Sequence, residues 1–297
     1  MTLGNGSRRR KRGSVQHFRV RNVVLTPFFV LAAVLLQGCS PTRFAYENAD
    51  LFLRWQANSY FDFEGEQSDE LDQRIAAFLG WHRQRALPQY ARIAEDAGNR
   101  MLRGIKREDL EWGYDAFRAQ IREALGAAAA EMAPPLDRLG PEQIVHLERR
   151  FAEENRKFAR EELRGTVEER RKRRVKRNLD RLEEWFGPLS EAQVGRVERY
   201  SERAPQGAEL RDRDRRRRQG EFVAMLRSRE ARQRLAPWAQ AWQDDREPDY
   251  AAAMRATLDE YYELLLDLDR MLSPAQREKA AARWHDYAAT FGSLAQR

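Results

Sequence analysis

The chain has 297 residues, 34% of them charged, with 54 lysines and arginines, 47 aspartates and glutamates, and one cysteine. A single cysteine excludes an internal disulfide framework. Seven of the basic residues and no acidic one fall in 1–38, so the remainder carries 47 of each sign, and its neutrality argues against a nucleic-acid-binding class.

Arg8, Arg9, Arg10, Lys11, Arg12, Arg19 and Arg21 all precede the first acid, Glu47. An apolar run from Val23 to Leu36 follows, interrupted by Thr26 and Pro27. A membrane-spanning helix needs roughly 20 apolar residues. This shorter run has the layout of a secretory signal, with a charged start, an apolar middle and small residues before a cut. It ends in "LQGC", Leu36 to Cys39. That stretch resembles the lipobox of bacterial lipoproteins, with Leu36, Gly38 and Cys39 in place and Gln37 a less usual residue. The resemblance implies cleavage before Cys39 and a diacylglycerol anchor, palmitate among its acyl groups, on the cysteine sulfur. Ser40 at the next position implies sorting to the outer membrane, facing the periplasm. The alternatives are an ordinary signal peptide with an incidental cysteine, or an uncleaved anchor. Residues 1–38 are thus expected to be a lipoprotein signal peptide, and 39–297 one exported, disulfide-free domain.

Beyond the signal the chain reads as helix. Alanine, leucine, glutamate, glutamine and arginine dominate, no stretch alternates with period two, and prolines and glycines punctuate. The expected helices are 46–60, 67–86, 88–103, 106–131, 141–186, 190–203, 207–228, 229–244, 248–271 and 274–291. The longest carries Ile144, Leu147, Phe151, Phe158, Val167, Val175, Leu179, Leu182 and Phe186 in one stripe, with Gly165-Thr166 as its weak point. The fold class is therefore all-α, an elongated multi-helix bundle with one long central helix at about 141–186.

Three helix starts repeat one pattern. They are "LGPEQ" (Leu139, Gly140, Gln143), "LSEAQ" (Leu189, Ser190, Gln193) and "LSPAQ" (Leu272, Ser273, Gln276). Gly140, Ser190 and Ser273 stand at N-cap and the glutamines at N3, where an amide reaches back to the N-cap N–H. Two weaker echoes are "FEGEQ" (Phe63–Gln67) and "IKRED" (Ile105–Asp109). The boxes resemble the LTxxQ motif of Spy-type periplasmic chaperones, with serine or glycine replacing the threonine. That resemblance implies a helical cradle holding unfolded envelope proteins, its groove formed by the helices that start at these boxes. Over its length the chain resembles an uncharacterised family of proteobacterial lipoproteins, a domain of unknown function. The carrying features are the lipobox, "YENADLFLRW", "WHRQRALPQY" and "EEWFGPLSEAQ".

Charge is uneven along the chain. "EERRKRRVKR" (Glu168–Arg177) and "RDRDRRRR" (Arg211–Arg218) are basic, while Glu47–Asp72 and Asp244–Asp269 are acidic. Such faces pair across a bundle. The sharper reading makes Arg170, Arg171, Arg173, Arg174 and Arg177 a basic docking surface for anionic lipid or acidic client segments. His82, His146 and His285 are the only histidines after the signal. No zinc-protease motif, nucleophile elbow or phosphate loop accompanies them, so neither metal, cofactor nor catalytic residue is expected. The expected function is a lipid-anchored envelope protein acting as a non-catalytic binding or chaperone-like module. The alternatives are a structural scaffold and, behind it, a cryptic enzyme.

Overall fold

The computed structural model of the protein describes residues 39–296, which form twelve α-helices, two of them running into a π turn, and no strand. The expected signal peptide at 1–38 lies outside the described residues. The all-α reading is correct. Several helix ends differ, each for a local reason.

Where one helix is expected over 46–60 there are two: α1 (Cys39–Glu47) starts before position 46, and α2 (Ala49–Phe61) follows and stops at Asp62, which takes the left-handed conformation at φ +52. Next, α3 (Glu66–Trp81) passes through a π turn (His82–Ala86) into α4 (Leu87–Arg103) without breaking at Pro88. There the Leu87 N–H reaches back to His82 O, and the wider turn absorbs the register change before the proline. Helix α5 (Arg107–Leu136) runs beyond the expected end at 131 and carries Pro134 and Pro135 in its last turn. Burial of Ala133, Pro135 and Leu136 holds that turn in place despite the missing donors.

The single helix expected over 141–186 is two helices. Helix α6 (Pro141–Phe158) runs into a second π turn (Ala159–Leu163), and α7 (Val167–Phe186) begins anew. Arg164 is extended and Gly165 takes φ +86, a conformation that only glycine adopts cheaply. Thr166 then caps α7: its hydroxyl accepts from Glu169 N at 3.2 Å, and Glu169 Oε2 accepts from Thr166 N at 2.8 Å. A complete capping box after a left-handed glycine makes the weak point a full break.

Helices α8 (Glu191–Arg203), α9 (Ala208–Arg227), α10 (Ala231–Gln240), α11 (Pro248–Met271) and α12 (Pro274–Ala295) complete the chain. They pack around three apolar cores. The first joins α2, α3, α5, α6, α9 and α10 around Leu71, Leu147 and Met225. A second joins α7, α8, α11 and the start of α12 around Val197, Leu264 and Leu268. The third joins α1, α4 and the end of α12 around Leu87, Tyr287 and Leu294, and Trp185 packs against both of these smaller cores. Where α4 crosses α12, a Cβ on Gly98 would fall 2.4 Å from His285 Nε2, so a larger residue there would push that ring aside. Ion pairs tie basic to acidic segments between helices, as the charge pattern suggests. Arg213 on α9 reaches Asp249 on α11 at 3.4 Å, and Arg218 reaches Asp245 at 3.1 Å.

Candidate functional site

The repeated helix starts meet in pairs. At the second core, Gln193 Oε1 accepts from Ser190 N at 2.9 Å, and Gln193 Nε2 donates to Met271 O at 3.2 Å and Gln276 Oε1 at 3.0 Å. Gln276 answers symmetrically: its Oε1 accepts from Ser273 N at 3.0 Å, and its Nε2 donates to Pro188 O at 2.9 Å and Gln193 Oε1 at 3.1 Å. Each glutamine thus caps its own helix and the end of the helix before the other one. Ser190 and Ser273 complete the boxes, their hydroxyls accepting from the N3 amides at 3.3 and 3.2 Å. Leu189 and Leu272 pack against the adjoining core.

Gln143 forms the same joint at the first core, and its partner is Gln67, from the echo "FEGEQ". Gln143 Nε2 donates to Gln67 Oε1 at 2.8 Å, Phe61 O at 3.1 Å and Asp62 O at 3.0 Å, while its Oε1 accepts from Gly140 N at 3.0 Å. Leu139 is buried beside it. Sequence spacing marked the caps but not the pairing, which depends on two distant corners meeting. The helices starting at Gly140, Ser190 and Ser273 do not line one shared groove. The first belongs to one core, and the other two meet at another.

The arginines of the basic segment are engaged within the protein. Arg170 Nη1 donates to Leu163 O at 3.0 Å, and Arg173 Nη2 to Arg164 O at 2.6 Å, which covers carbonyls at the break before α7. Arg174 donates to Ala204 O at 2.7 Å and Pro205 O at 3.0 Å, closing the end of α8, and burial lowers its pKa. Arg171 and Arg177 pair with Glu168 and Glu162 at 3.3 and 3.7 Å. Orphan carbonyls at helix ends need such donors, so Arg170, Arg173 and Arg174 fasten helix ends, while Arg171 and Arg177 remain part-exposed beside their carboxylates. Cys39 opens α1.

The feature that stands apart is a cavity of about 240 Å³ inside the first core. Its walls come from α2 (Ala57, Tyr60), α3 (Leu71, Phe78), α5 (Leu125, Ala129), α6 (Leu147, Phe151), α9 (Phe222) and α10 (Trp238). Helices α6 and α9 run antiparallel along it, since Glu148 pairs with Arg227, Asn155 with Gln219, and Phe158 faces Arg215. Outside lies an open groove of about 730 Å³, and Phe151 and Gln219 line both spaces.

One side of the cavity is cationic. Arg211, Arg215, Arg218 and Phe222 lie at helical spacing on one face of α9, and all four line the space, as does Arg246. Each guanidinium lies against an aromatic ring: Arg215 is 4.5 Å from Phe158, Arg218 is 4.1 Å from Trp238 and Arg246 is 5.9 Å from Trp242. Aspartates hold them from behind. Asp214, with no exposed surface, accepts from Arg246 Nη1 at 2.6 Å and Glu247 N at 3.1 Å. Burial pushes its carboxyl up, but those donors outweigh burial and hold its pKa below the usual range. Asp212 holds Arg215 Nη2 at 2.9 Å, and Asp245 holds Arg218 Nη1 at 3.1 Å. Burial lowers the pKa of Arg211 and Arg218. Arg215 Nε and Nη1 and Arg246 Nε have no hydrogen-bond partner in the protein. By composition "RDRDRRRR" reads as a basic solvated face. The i, i+4, i+7 spacing of Arg211, Arg215 and Arg218 puts the three on one face, and contacts from distant segments turn that face inward.

Among the described residues, no group of three or more His, Cys, Asp or Glu side chains could hold a metal ion, and no helix is long and apolar enough to cross a membrane. His146 bonds to Ser59 O at 3.2 Å. A family model described as a family of unknown function (DUF6279) matches residues 59–251, which include most of the cavity wall and both basic segments. No curated protein and no solved structure matches the chain.

Proposed function

The chain belongs to this family of unknown function, and from that premise we propose a non-catalytic binding module, lipid-anchored in the bacterial envelope, that holds an apolar ligand in its first core. The cavity carries this reading. Protein interiors are packed with few voids larger than a water molecule. At about 24 cal/mol per Å³, 240 Å³ of dry apolar space would cost on the order of 6 kcal/mol, a figure that water at the charged side of this cavity lowers. A ligand that fills it recovers that packing. An engineered apolar cavity of only about 150 Å³ already takes up benzene, so the space suffices for part of an alkyl chain.

The scaffold alternative draws on the glutamine joints, which fasten four helix starts to neighbouring corners. Client holding through a cradle at those starts has less support, because their amides already have partners and the helices do not share one core.

The anchor supplies the location in this proposal. Cys39→Ala should leave the protein unlipidated and move it out of the outer-membrane fraction, and wild-type protein recovered free of membrane would remove the anchor. The cavity is tested with full-length protein in its membrane, photolabelled by a neutral alkyl diazirine. Label should map to peptides around Phe222 and Trp238 and should disappear in Ala129→Phe, whose ring fills the space. Overpacking a closed core costs about 1–3 kcal/mol, whereas filling a real cavity leaves the melting temperature unchanged or raised. Labelling that avoids these peptides would leave the scaffold reading in place.

A further inference from the structure

Resting on the binding reading, we propose that the cavity selects a single-chain anionic amphiphile of the fatty-acid class. The alkyl chain lies along Phe151, Phe222 and Trp238, and the carboxylate is received by Arg215 and Arg246. Three observations carry this. The first is chain number. Cavities for drug-sized ligands run from about 300 to 1,000 Å³, and 240 Å³ accommodates one unbranched chain, not the two of a phospholipid.

The second observation is the set of unmet donors. Arg215 Nε and Nη1 and Arg246 Nε are buried without partners, on two residues that line the cavity. Unpaired buried donors are costly, and charge-assisted bonds to an acid are the strong remedy. Asp212 and Asp214 already hold one terminal nitrogen of each guanidinium, at 2.9 and 2.6 Å, which leaves the others in place for a ligand.

The third is the charge balance at that side. Glu154 also lines the cavity, one helical turn from Phe158, whose ring carries Arg211 and Arg215. A nearby carboxylate disfavours a dianion such as a terminal phosphate and leaves room for a monoanion. A cationic side continuous with an apolar wall matches a carboxylate joined directly to a hydrocarbon.

The test uses photoreactive probes of equal chain length on the full-length protein in its membrane, one a fatty acid and one the corresponding alcohol. Cavity peptides should take the acid on the order of tenfold better than the alcohol, the ratio that one charge-assisted bond supplies. Arg215→Gln should reduce the acid several-fold while leaving the alcohol unchanged. Asp212 keeps Arg216 at 2.8 Å in that variant, so the fold keeps its pair. An unlabelled single-chain phosphate should compete less well than the unlabelled acid. Equal labelling by acid and alcohol, unaffected by Arg215→Gln, would overturn the head-group assignment while leaving the apolar site standing. Stronger competition by the phosphate would overturn it equally. No cavity labelling by either probe would remove both this inference and the reading beneath it.

Discussion

Gln193→Leu is expected to cost about 4 kcal/mol of stability, visible as a large drop in the urea midpoint at unchanged slope. Gln193 is 1% exposed, and its amide serves Ser190 N, Met271 O and both ends of the Gln276 amide. Leucine fits the volume but orphans those groups, at about 1–3 kcal/mol for each one that stays buried. Gln276→Leu breaks the same joint from the other side. The double variant should therefore cost less than the two single costs added together, because the second change removes a group already stranded. Ser190→Ala, which loses only one side of the cap, should cost about 1 kcal/mol. If Gln193→Leu and Gln276→Leu each cost under about 1 kcal/mol, the paired amides are not what fastens the corners.

Acidification is the second large effect. His82 is 3% exposed, with its Nδ1 at 3.1 Å from the Tyr46 hydroxyl and Tyr90, Phe78 and Trp81 around the ring. Burial lowers its pKa from 6.5 to about 4. The folded protein therefore keeps His82 neutral where the unfolded chain has already taken up a proton. The neutral form's contribution is complete above pH 6.5 and is lost as pH falls from 6.5 towards 4. The total is about 3 kcal/mol at 1.36 kcal/mol per pH unit. Denaturant titrations between pH 4 and pH 7 should show this slope for wild type and lose most of it in His82→Phe. An unchanged slope in that variant would place the acid sensitivity elsewhere, among the paired carboxylates.

Much of the fold was legible because helix caps are local. Ser190 and Ser273 each sit three residues before a glutamine that closes the box, and both start helices. Prolines misled the reading, since Pro88 and Pro134-Pro135 stay inside helices held by a π turn or by burial. The break at Gly165 was read as too mild, because spacing alone does not show that Arg164 turns extended and Arg170 and Arg173 cover the freed carbonyls.

The site itself was nearly invisible. On α9 the inward face is largely arginine, so apolar periodicity gives no sign of burial. What makes such burial tolerable comes from distant segments: Phe158 on α6, Trp238 on α10 and Asp245 in the turn before α11. Arg170 to Arg177 form the more conspicuous run, and three of them, Arg170, Arg173 and Arg174, fasten helix ends. Conspicuous charge and inward charge are different properties, and only tertiary contacts separate them.

Diffraction from crystals grown with a terminally brominated alkyl chain addresses the cavity most directly, because bromine can be located without reference to the protein's own density. An anomalous peak inside the first core, among Leu71, Phe151, Phe222 and Trp238, is the expected result. A core closed over by those side chains, with bromine absent or only on the outer surface, would contradict a ligand-holding role.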